Sequence, residues 1–262
     1  MKRARAIGSV VSGAIDGTMR WAALVFVASA AVTIAWCASM SAMPGMEMPG
    51  GWVMSMAWMR MPGQGWLEFC GVFLGMWTVM MIAMMMPVLA PMLARYRRAV
   101  VAGNEAALTA TVATGYFAVW ILAGILLLAG GAAFAEQAMR DPAFSAPVPV
   151  LGAFVVIAAG VWQFTPWKTR QLACCRHTID CGGDIQLSHA AAWRHGVKLG
   201  LRCVYCCASL TAVLIVIGVM DLLAMALVTT AISAERLMPA RLRVARVVGA
   251  VLVFMGMGML AG

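Results

Sequence analysis

Long apolar stretches, separated by short connectors that carry charge, follow one another from residue 21 to the end of the chain. A helix needs about 20 mostly apolar residues to cross a bilayer, and most of these stretches approach that length. Their approximate bounds are 21–39, 69–92, 108–134, 148–166, 197–219, 221–235 and 244–262. The pattern predicts an all-α protein, a polytopic helical membrane bundle that forms a single integral membrane domain over residues 1–262.

The number of spans depends on residues 203–235. As one helix this segment would extend roughly 50 Å at ~1.5 Å per residue, which is too long for one crossing and short for two. Gly218 and Asp221 offer a break, and the basic residues that follow require the chain to return to the inner side. We therefore predict about seven transmembrane helices, with six plus a re-entrant pair as the alternative.

Basic residues mark one side of the predicted membrane. Of the 19 Lys and Arg residues, only Arg60 and Arg140 lie outside the segments on the side of the N-terminus. Those segments are residues 1–20, 93–107, 167–202 and 235–246. Because cytoplasmic loops carry the excess of Lys and Arg, we expect a multi-pass protein of the bacterial inner membrane with a cytoplasmic N-terminus.

Composition supports the membrane class and shows that sulfur is abundant. The chain is 63% hydrophobic and 11% charged, whereas a soluble domain carries about 25% charged residues. It contains 24 methionines and 8 cysteines but only 3 histidines. The net charge of +9 comes from the basic residues in the segments on the side of the N-terminus. Since the sequence has no motif for DNA or RNA, we predict no nucleic-acid partner.

A methionine-rich outer loop, residues 40–68, is predicted between the first two spans. Its methionines are Met40, Met43, Met46, Met48, Met54, Met56, Met59 and Met61. Met43, Met46 and Met48 are candidate metal ligands, because neutral thioether sulfur suits Cu(I) and the loop has no histidine for Cu(II) or Zn(II). Frequent Gly and Pro predict that the loop forms no regular element. The alternative is an interfacial segment in which Met and Trp rest against lipid.

The second predicted span contains the stretch WTVMMIAMMMP. Met76, Met80 and Met84 are four residues apart, as are Met81 and Met85, and residues four apart lie one above another on a helix face. These five residues are called the methionine ladder below. They are predicted either to pass a metal ion along the helix or to fill irregular contacts between helices, as methionine does in many cores.

A Cys- and His-rich inner segment, residues 167–207, holds most of the 8 cysteines and all 3 histidines. Its candidate metal ligands are Cys174, Cys175, Cys181, His177, His195, Cys203, Cys206 and Cys207. Cytoplasmic thiols stay reduced and are available as ligands. Cu(I) is the predicted ion, and Zn(II) is the alternative at this segment, since Cys and His both bind it.

The last cysteines of this segment have helical spacing. Cys203, Cys206 and Cys207 share one helix face, because residues three and four apart are neighbours there, and His195 lies near the same face. The basic neighbours expected to favour the metal-binding thiolate form are Arg176, Lys198 and Arg202. The alternative is that these cysteines are small buried hydrophobic residues.

Four further residues are open to more than one interpretation. Cys37 and Cys70 lie at the outer ends of the first two spans, where they could form a disulfide or add thiolates to the outer loop. Asp221 and Glu235 flank the sixth predicted span, and an acidic side chain at membrane depth is a functional candidate. Glu235 is interpreted as the helix-end partner of Arg236.

Three blocks carry a resemblance to known proteins: WTVMMIAMMMP (77–87), WQFTPWKTRQLACCR (162–176) and GVKLGLRCVYCC (196–207). They resemble an uncharacterised bacterial family of predicted metal-binding integral membrane proteins with a Met-rich helix, a Q-x-T-P-x-K block and a C-x-x-C-C helix motif. The resemblance runs from about residue 70 to 240, through GVMD and ERLMP. It implies metal binding, with motif positions at Met80, Met81, Met84, Met85, Gln163, Lys168, Cys175, Cys203, Cys206 and Cys207.

This chain departs from the family at two positions. Tyr205 stands where the family often has Gly, and Ala208 stands where it often has Trp. The departures leave the packing around the cysteines open.

Together these features predict a copper(I)-binding integral membrane protein without catalytic residues. Its partners would be the lipid bilayer, the metal ion, and a cuproenzyme or copper chaperone. Thiolates bind Cu(I) more tightly than thioethers do, so Cu(I) would move inward from the outer loop along the ladder, or be supplied to the cuproenzyme. The alternatives are a membrane thiol-disulfide oxidoreductase and a non-conducting assembly subunit of a membrane cuproenzyme.

Overall fold

A computed structural model describes residues 2–41, 45–60, 63–100, 104–170, 188–238 and 241–261. The described chain is almost entirely helical, which confirms the predicted all-α class. The helices are α1 (Lys2–Ser41), α2 (Trp66–Ala99), α3 (Glu105–Arg140), α4 (Pro142–Ser145), α5 (Val148–Trp162), α6 (His189–Ile217), α7 (Leu222–Leu237) and α8 (Arg241–Ala261). Residues 166–170 add a short helical piece after α5.

Six helices of the described chain are long and apolar enough to cross a membrane. Three of these spans are the complete helices α2, α3 and α6, and two are parts of α1 and α8. The sixth is the stretch Pro142–Trp162, which contains α5. α7, with 16 residues, falls short of that length. The number of spans and the orientation therefore stay predictions, with α7 either a short span or part of a re-entrant pair.

α6 and α7 are separated at the predicted break. Gly218 follows α6 with a φ of 138°, a conformation that residues with side chains rarely adopt. Asp221 caps α7, because its Oδ1 atom accepts a hydrogen bond from the backbone N–H of Ala224 at 2.7 Å. Asp221 therefore has a structural role at the start of a helix.

α3 and α6 approach each other closely at glycines. A Cβ atom at Gly196 would overlap the carbonyl oxygen of Val112, and one at Gly200 would lie 2.8 Å from the carbonyl oxygen of Tyr116. Small residues permit such close packing between helices in membranes. The approach brings Tyr116 to the face of α6 that carries the cysteines.

The outer loop contains a regular element, so the prediction of an irregular loop is wrong. Strands β1 (Met46–Met48) and β2 (Trp52–Met54) form an antiparallel hairpin, and a 3-10 turn follows at Met56–Trp58. The prediction treated glycine only as a breaker of regular structure. Gly50 and Gly51 instead have φ values of 99° and 76°, and positive φ is what a tight hairpin turn requires.

The hairpin places its methionines in different surroundings. Met48 and Met54 are buried against α3, whereas Met46 is exposed. Met43 lies outside the described residues. The loop methionines predicted as ligands therefore do not share one environment.

Candidate functional site

Three cysteines of α6 form a buried group, called the thiol cluster below. Cys203, Cys206 and Cys207 are at most 2% exposed, and they share the helix face that their spacing predicts. The Sγ atoms of Cys203 and Cys207 lie 3.8 Å apart. One turn of helix thus presents two neighbouring thiols to the interior of the bundle.

The methionine ladder ends against this cluster. The Sδ atom of Met85 lies 3.8 Å from the Sγ atom of Cys203. With a metal–sulfur distance of about 2.3 Å, as in zinc thiolates, sulfurs around one three-coordinate ion lie roughly 4 Å apart. The distances from Cys203 to Met85 and from Cys203 to Cys207 therefore both match the spacing of two sulfurs on one ion.

All the ladder methionines lie in the interior of the bundle. Met76, Met80, Met81, Met84 and Met85 are at most 5% exposed. The next residue, Met86, packs instead against Ala22 and Ala90. Burial alone does not separate a metal path from a packing role, but the contact between Met85 and Cys203 connects the ladder to possible thiolate ligands.

Cys203 receives hydrogen bonds from two donors outside its own helix. The hydroxyl of Tyr116 donates to Sγ at 2.9 Å, and Nη1 of Arg236 donates to Sγ at 3.2 Å. A donor and a positive charge at sulfur stabilise the thiolate relative to the thiol.

Neither donor is predicted from the sequence, because both are distant from the cysteines in the chain. Tyr116 is 87 residues and Arg236 33 residues from Cys203. The only available signal was the position of Arg236 in the ERLMP block of the resemblance.

A buried ion pair lies beside the thiol cluster. The Nζ atom of Lys168 is 2.9 Å from Oε2 of Glu235, and it donates to the carbonyl oxygen of Cys206 at 2.7 Å. The sequence predicts Arg236 as the partner of Glu235, and the structure gives Glu235 an ion pair with Lys168 in the interior. The two contacts of Lys168 tie residues 166–170 to α6 and α7, next to the cysteines.

The histidines of the described chain lie away from the thiols. His195 stacks on Tyr96 with ring centroids 5.4 Å apart, and it lies eight residues, or ~12 Å along α6, from Cys203. The Nδ1 atom of His189 lies 3.1 Å from the hydroxyl of Thr111. The structure therefore does not bring His195, a predicted ligand, to the thiol cluster.

Other predicted ligands lie outside the described residues: Cys174, Cys175, Cys181, His177 and Met43. Among the residues that are described, no three Cys, His, Asp or Glu side chains form a metal-binding group. A three-ligand site around Cys203 and Cys207 therefore takes its third ligand from thioether sulfur, which Met85 supplies. Such a ligand set favours a soft ion over Zn(II).

The structure bears on the two interpretations of Cys37 and Cys70. Cys37 and Cys70 are both free thiols. Cys37 is buried, and its Sγ atom lies 4.0 Å from the Sδ atom of Met220. Its thiol is therefore available as a ligand.

The part of the chain that carries these sulfur residues matches a known protein family. A family model described as PpoB2, copper chaperone, matches residues 74–259, which include the ladder, Lys168, the thiol cluster and Glu235. No curated protein and no solved structure matches the chain. The family match supports the copper chemistry predicted from the sulfur pattern. Because the match covers more than half of the chain, the protein belongs to the PpoB2 copper chaperone family.

Proposed function

We propose that the protein binds Cu(I) between Met85, Cys203 and Cys207 and receives it along the methionine ladder. The observation that carries the proposal is the 3.8 Å contact between Sδ of Met85 and Sγ of Cys203. It joins a row of thioethers to a pair of thiols in a member of a copper chaperone family. Sulfur ligands favour copper in its cuprous state.

Charge balance supports Cu(I) at this site. Cu(I) with two thiolates carries one net negative charge, which the guanidinium of Arg236 offsets through its contact with Cys203. Lys168 and Glu235 add no net charge, because they pair with each other. A neutral sum matters because an uncompensated charge in the interior carries a large desolvation penalty. Zn(II) on the same two thiolates would leave one positive charge uncompensated.

The ladder supplies a route through the interior. Met76 and Met85 are nine residues apart, which corresponds to ~14 Å along α2. Met80, Met81 and Met84 divide this distance into steps of about one helical turn, ~5–6 Å. Neutral thioethers bind Cu(I) reversibly and thiolates bind it more tightly, so the gradient favours movement from Met76 toward Cys203.

The direction of movement gives the function that the site supports best. With the orientation predicted from the basic segments, movement from Met76 toward the thiol cluster is inward. The protein then either imports Cu(I) or holds it for supply to a cuproenzyme.

Thiol–disulfide exchange is less well supported. It requires electrons to pass between Cys37 or Cys70 and the thiol cluster. Cys37 contacts Met220, which lies beyond the end of α6. The 14 residues from Cys203 to Ile217 already extend ~21 Å along α6, so direct sulfur–sulfur exchange between Cys37 and Cys203 is not feasible.

Copper binding by the purified protein tests the proposal. Full-length protein is purified anaerobically in detergent, loaded with Cu(I), and titrated with a cuprous chelator. Met85→Leu approximately preserves side-chain volume and removes one of three sulfurs, so we expect Cu(I) affinity to fall about tenfold, ~1.4 kcal/mol. Met86→Leu, on the same helix but outside the ladder, should bind like the wild type. Absence of copper, or equal affinity in the two variants, would contradict the proposal.

Uptake into vesicles separates movement of the ion from binding alone. In proteoliposomes, Met80→Leu/Met84→Leu should slow Cu(I) uptake while the thiol cluster keeps its affinity. Unchanged uptake would show that the ladder only packs. A wild-type protein that binds Cu(I) but moves none across the bilayer would support the assembly subunit instead.

A further inference from the structure

A sulfur-lined cavity lies at the Met76 end of the ladder and is called the thioether pocket below. It has a volume of about 90 Å³ and is partly open. Its walls include the methionines Met40, Met59, Met76 and Met220 and the aromatic residues Trp36 and Phe73. The four methionines come from α1, the outer loop, α2 and the turn before α7. Separate parts of the chain thus converge on one small cavity.

A buried thiol lies next to this cavity. The Sγ atom of Cys37 is 4.0 Å from the Sδ atom of Met220, although the two residues are 183 positions apart in the chain. This distance again matches the roughly 4 Å expected between two sulfurs on one three-coordinate ion with bonds of about 2.3 Å. Cys37 can therefore join Met220 as a ligand.

The lining of the pocket selects for a soft ion. The described residues that line it include no charged side chain and no histidine. Mg²⁺ and Ca²⁺ require several oxygen ligands, and among the described side chains that line the pocket only Gln64 carries oxygen. Zn(II) takes thiolate, imidazole or carboxylate ligands. Thioethers suit Cu(I), and the ring faces of Trp36 and Phe73 attract a cation. A single positive charge also has a smaller desolvation penalty than a double one.

We propose that the thioether pocket is a separate loading site for a soft monovalent cation, Cu(I) or its analogue Ag(I). The inference rests on the proposed function, since it adds a first stop to the same path. Met76 lines the pocket and is also the first residue of the ladder, ~14 Å along α2 from Met85. This distance lets each chain hold two ions at once, a weakly bound one in the pocket and a tightly bound one at the thiol cluster.

Titration of purified full-length protein with Ag(I) tests the loading site. The wild type should show a tight and a weak class of binding. Met59→Leu/Met220→Leu should weaken the weak class at least about tenfold and keep the tight class, because neither residue belongs to the ladder or the thiol cluster. The matched control Met86→Leu/Met225→Leu changes two buried methionines outside the pocket, and it should keep both classes.

The loading site and the proposed function can fail separately. If Met59→Leu/Met220→Leu binds Ag(I) like the wild type in both classes, the loading site is overturned and the proposed function stands. If Cys203→Ser/Cys207→Ser keeps the tight class, the proposed function fails. Loss of the weak class in the pocket variant would still support the loading site in that case.

Ion competition provides a second readout. Excess Zn(II) should leave the weak class of Ag(I) binding unchanged, because the pocket offers Zn(II) at most the single thiol of Cys37 beside thioethers, which are poor ligands for it. Displacement of the weakly bound Ag(I) by Zn(II) would overturn the assignment to thioethers.

Discussion

Both ends of the methionine ladder present sulfur, but in different chemical forms. At the thioether pocket the sulfur is mostly neutral, and no charged side chain is found among the described lining residues. At the thiol cluster the sulfur can ionise, and Tyr116 and Arg236 both donate to Cys203. Neutral thioethers release Cu(I) more readily than thiolates do. Among the described residues, a cation contacts sulfur at the thiol cluster and none lines the thioether pocket, and this contrast suits tight binding at one end and weak binding at the other.

The two ends also differ in their access to the surroundings. The thioether pocket is partly open, whereas the cysteines of the thiol cluster are at most 2% exposed. An ion can therefore exchange with the surroundings at the pocket more easily than at the cluster. Weak binding in an open site and tight binding in a closed one suit capture followed by retention.

The largest expected effect comes from removing the ionisable sulfur. Of the three proposed ligands, Cys203→Ser/Cys207→Ser keeps only the thioether of Met85, so Cu(I) affinity should fall more than about a thousandfold, at least ~4 kcal/mol. Competition with a cuprous chelator measures the change. Cys70→Ser, which removes another free thiol of the chain, should bind tightly. Tight Cu(I) binding by the double variant would show that the thiol cluster does not bind the ion more tightly than the thioether pocket does.

Breaking the buried ion pair should have the next largest effect, on stability. Lys168→Met leaves Glu235 buried without its partner, which should lower the free energy of unfolding by roughly 3 kcal/mol. Lys168→Met/Glu235→Leu removes both charges and should recover much of the loss. Denaturation of the detergent-solubilised variants gives both values. Equal stability of the single variant and the wild type would show that the pair does not support the thiol cluster.

The charge that distinguishes the thiol cluster can be tested directly. Arg236→Gln should weaken Cu(I) binding roughly 10- to 100-fold, as loss of a partner to a metal ligand commonly does. Arg202→Gln removes a cation next to Cys203 in the sequence and should change the affinity much less. Binding by the two variants is compared in the chelator assay. A larger loss of Cu(I) affinity for Arg202→Gln would show that the sequence neighbour Arg202, and not Arg236, stabilises the thiolate.

The smallest effect is expected from the hydroxyl at Cys203. Tyr116→Phe keeps the ring and removes one hydrogen bond to Sγ, so Cu(I) affinity should fall about fivefold, ~1 kcal/mol. Tyr205→Phe, at an exposed position of α6, is the matched control and should bind like the wild type. Equal affinities in the two variants would mean that Tyr116 only packs against the cluster.

Much of the site could be predicted where it depends on helical periodicity. The common face of Cys203, Cys206 and Cys207 and the ladder on α2 follow from spacings of three and four residues. The break at Gly218 follows from the freedom of glycine to adopt positive φ. The same local reasoning failed at Gly50 and Gly51, because it counted glycine as a breaker where positive φ closes a hairpin.

The partners of the sulfurs could not be predicted in this way. Helical spacing shows which side chains share a face but not which neighbouring helix that face meets. The approach of α3 to α6 at glycines places Tyr116 beside Cys203. Lys168 likewise reaches Glu235 only because residues 166–170 lie against α6 and α7.

The all-α class, the long apolar helices and the placement of sulfur on α2 and α6 are predictable from the chain, since each depends on residues within a few turns of one another. The contacts of Cys203 with Met85 and Arg236, and of Cys37 with Met220, arise only when the helices pack together. These contacts join residues 118, 33 and 183 positions apart. No local pattern specifies them, because they depend on how the helices pack in three dimensions.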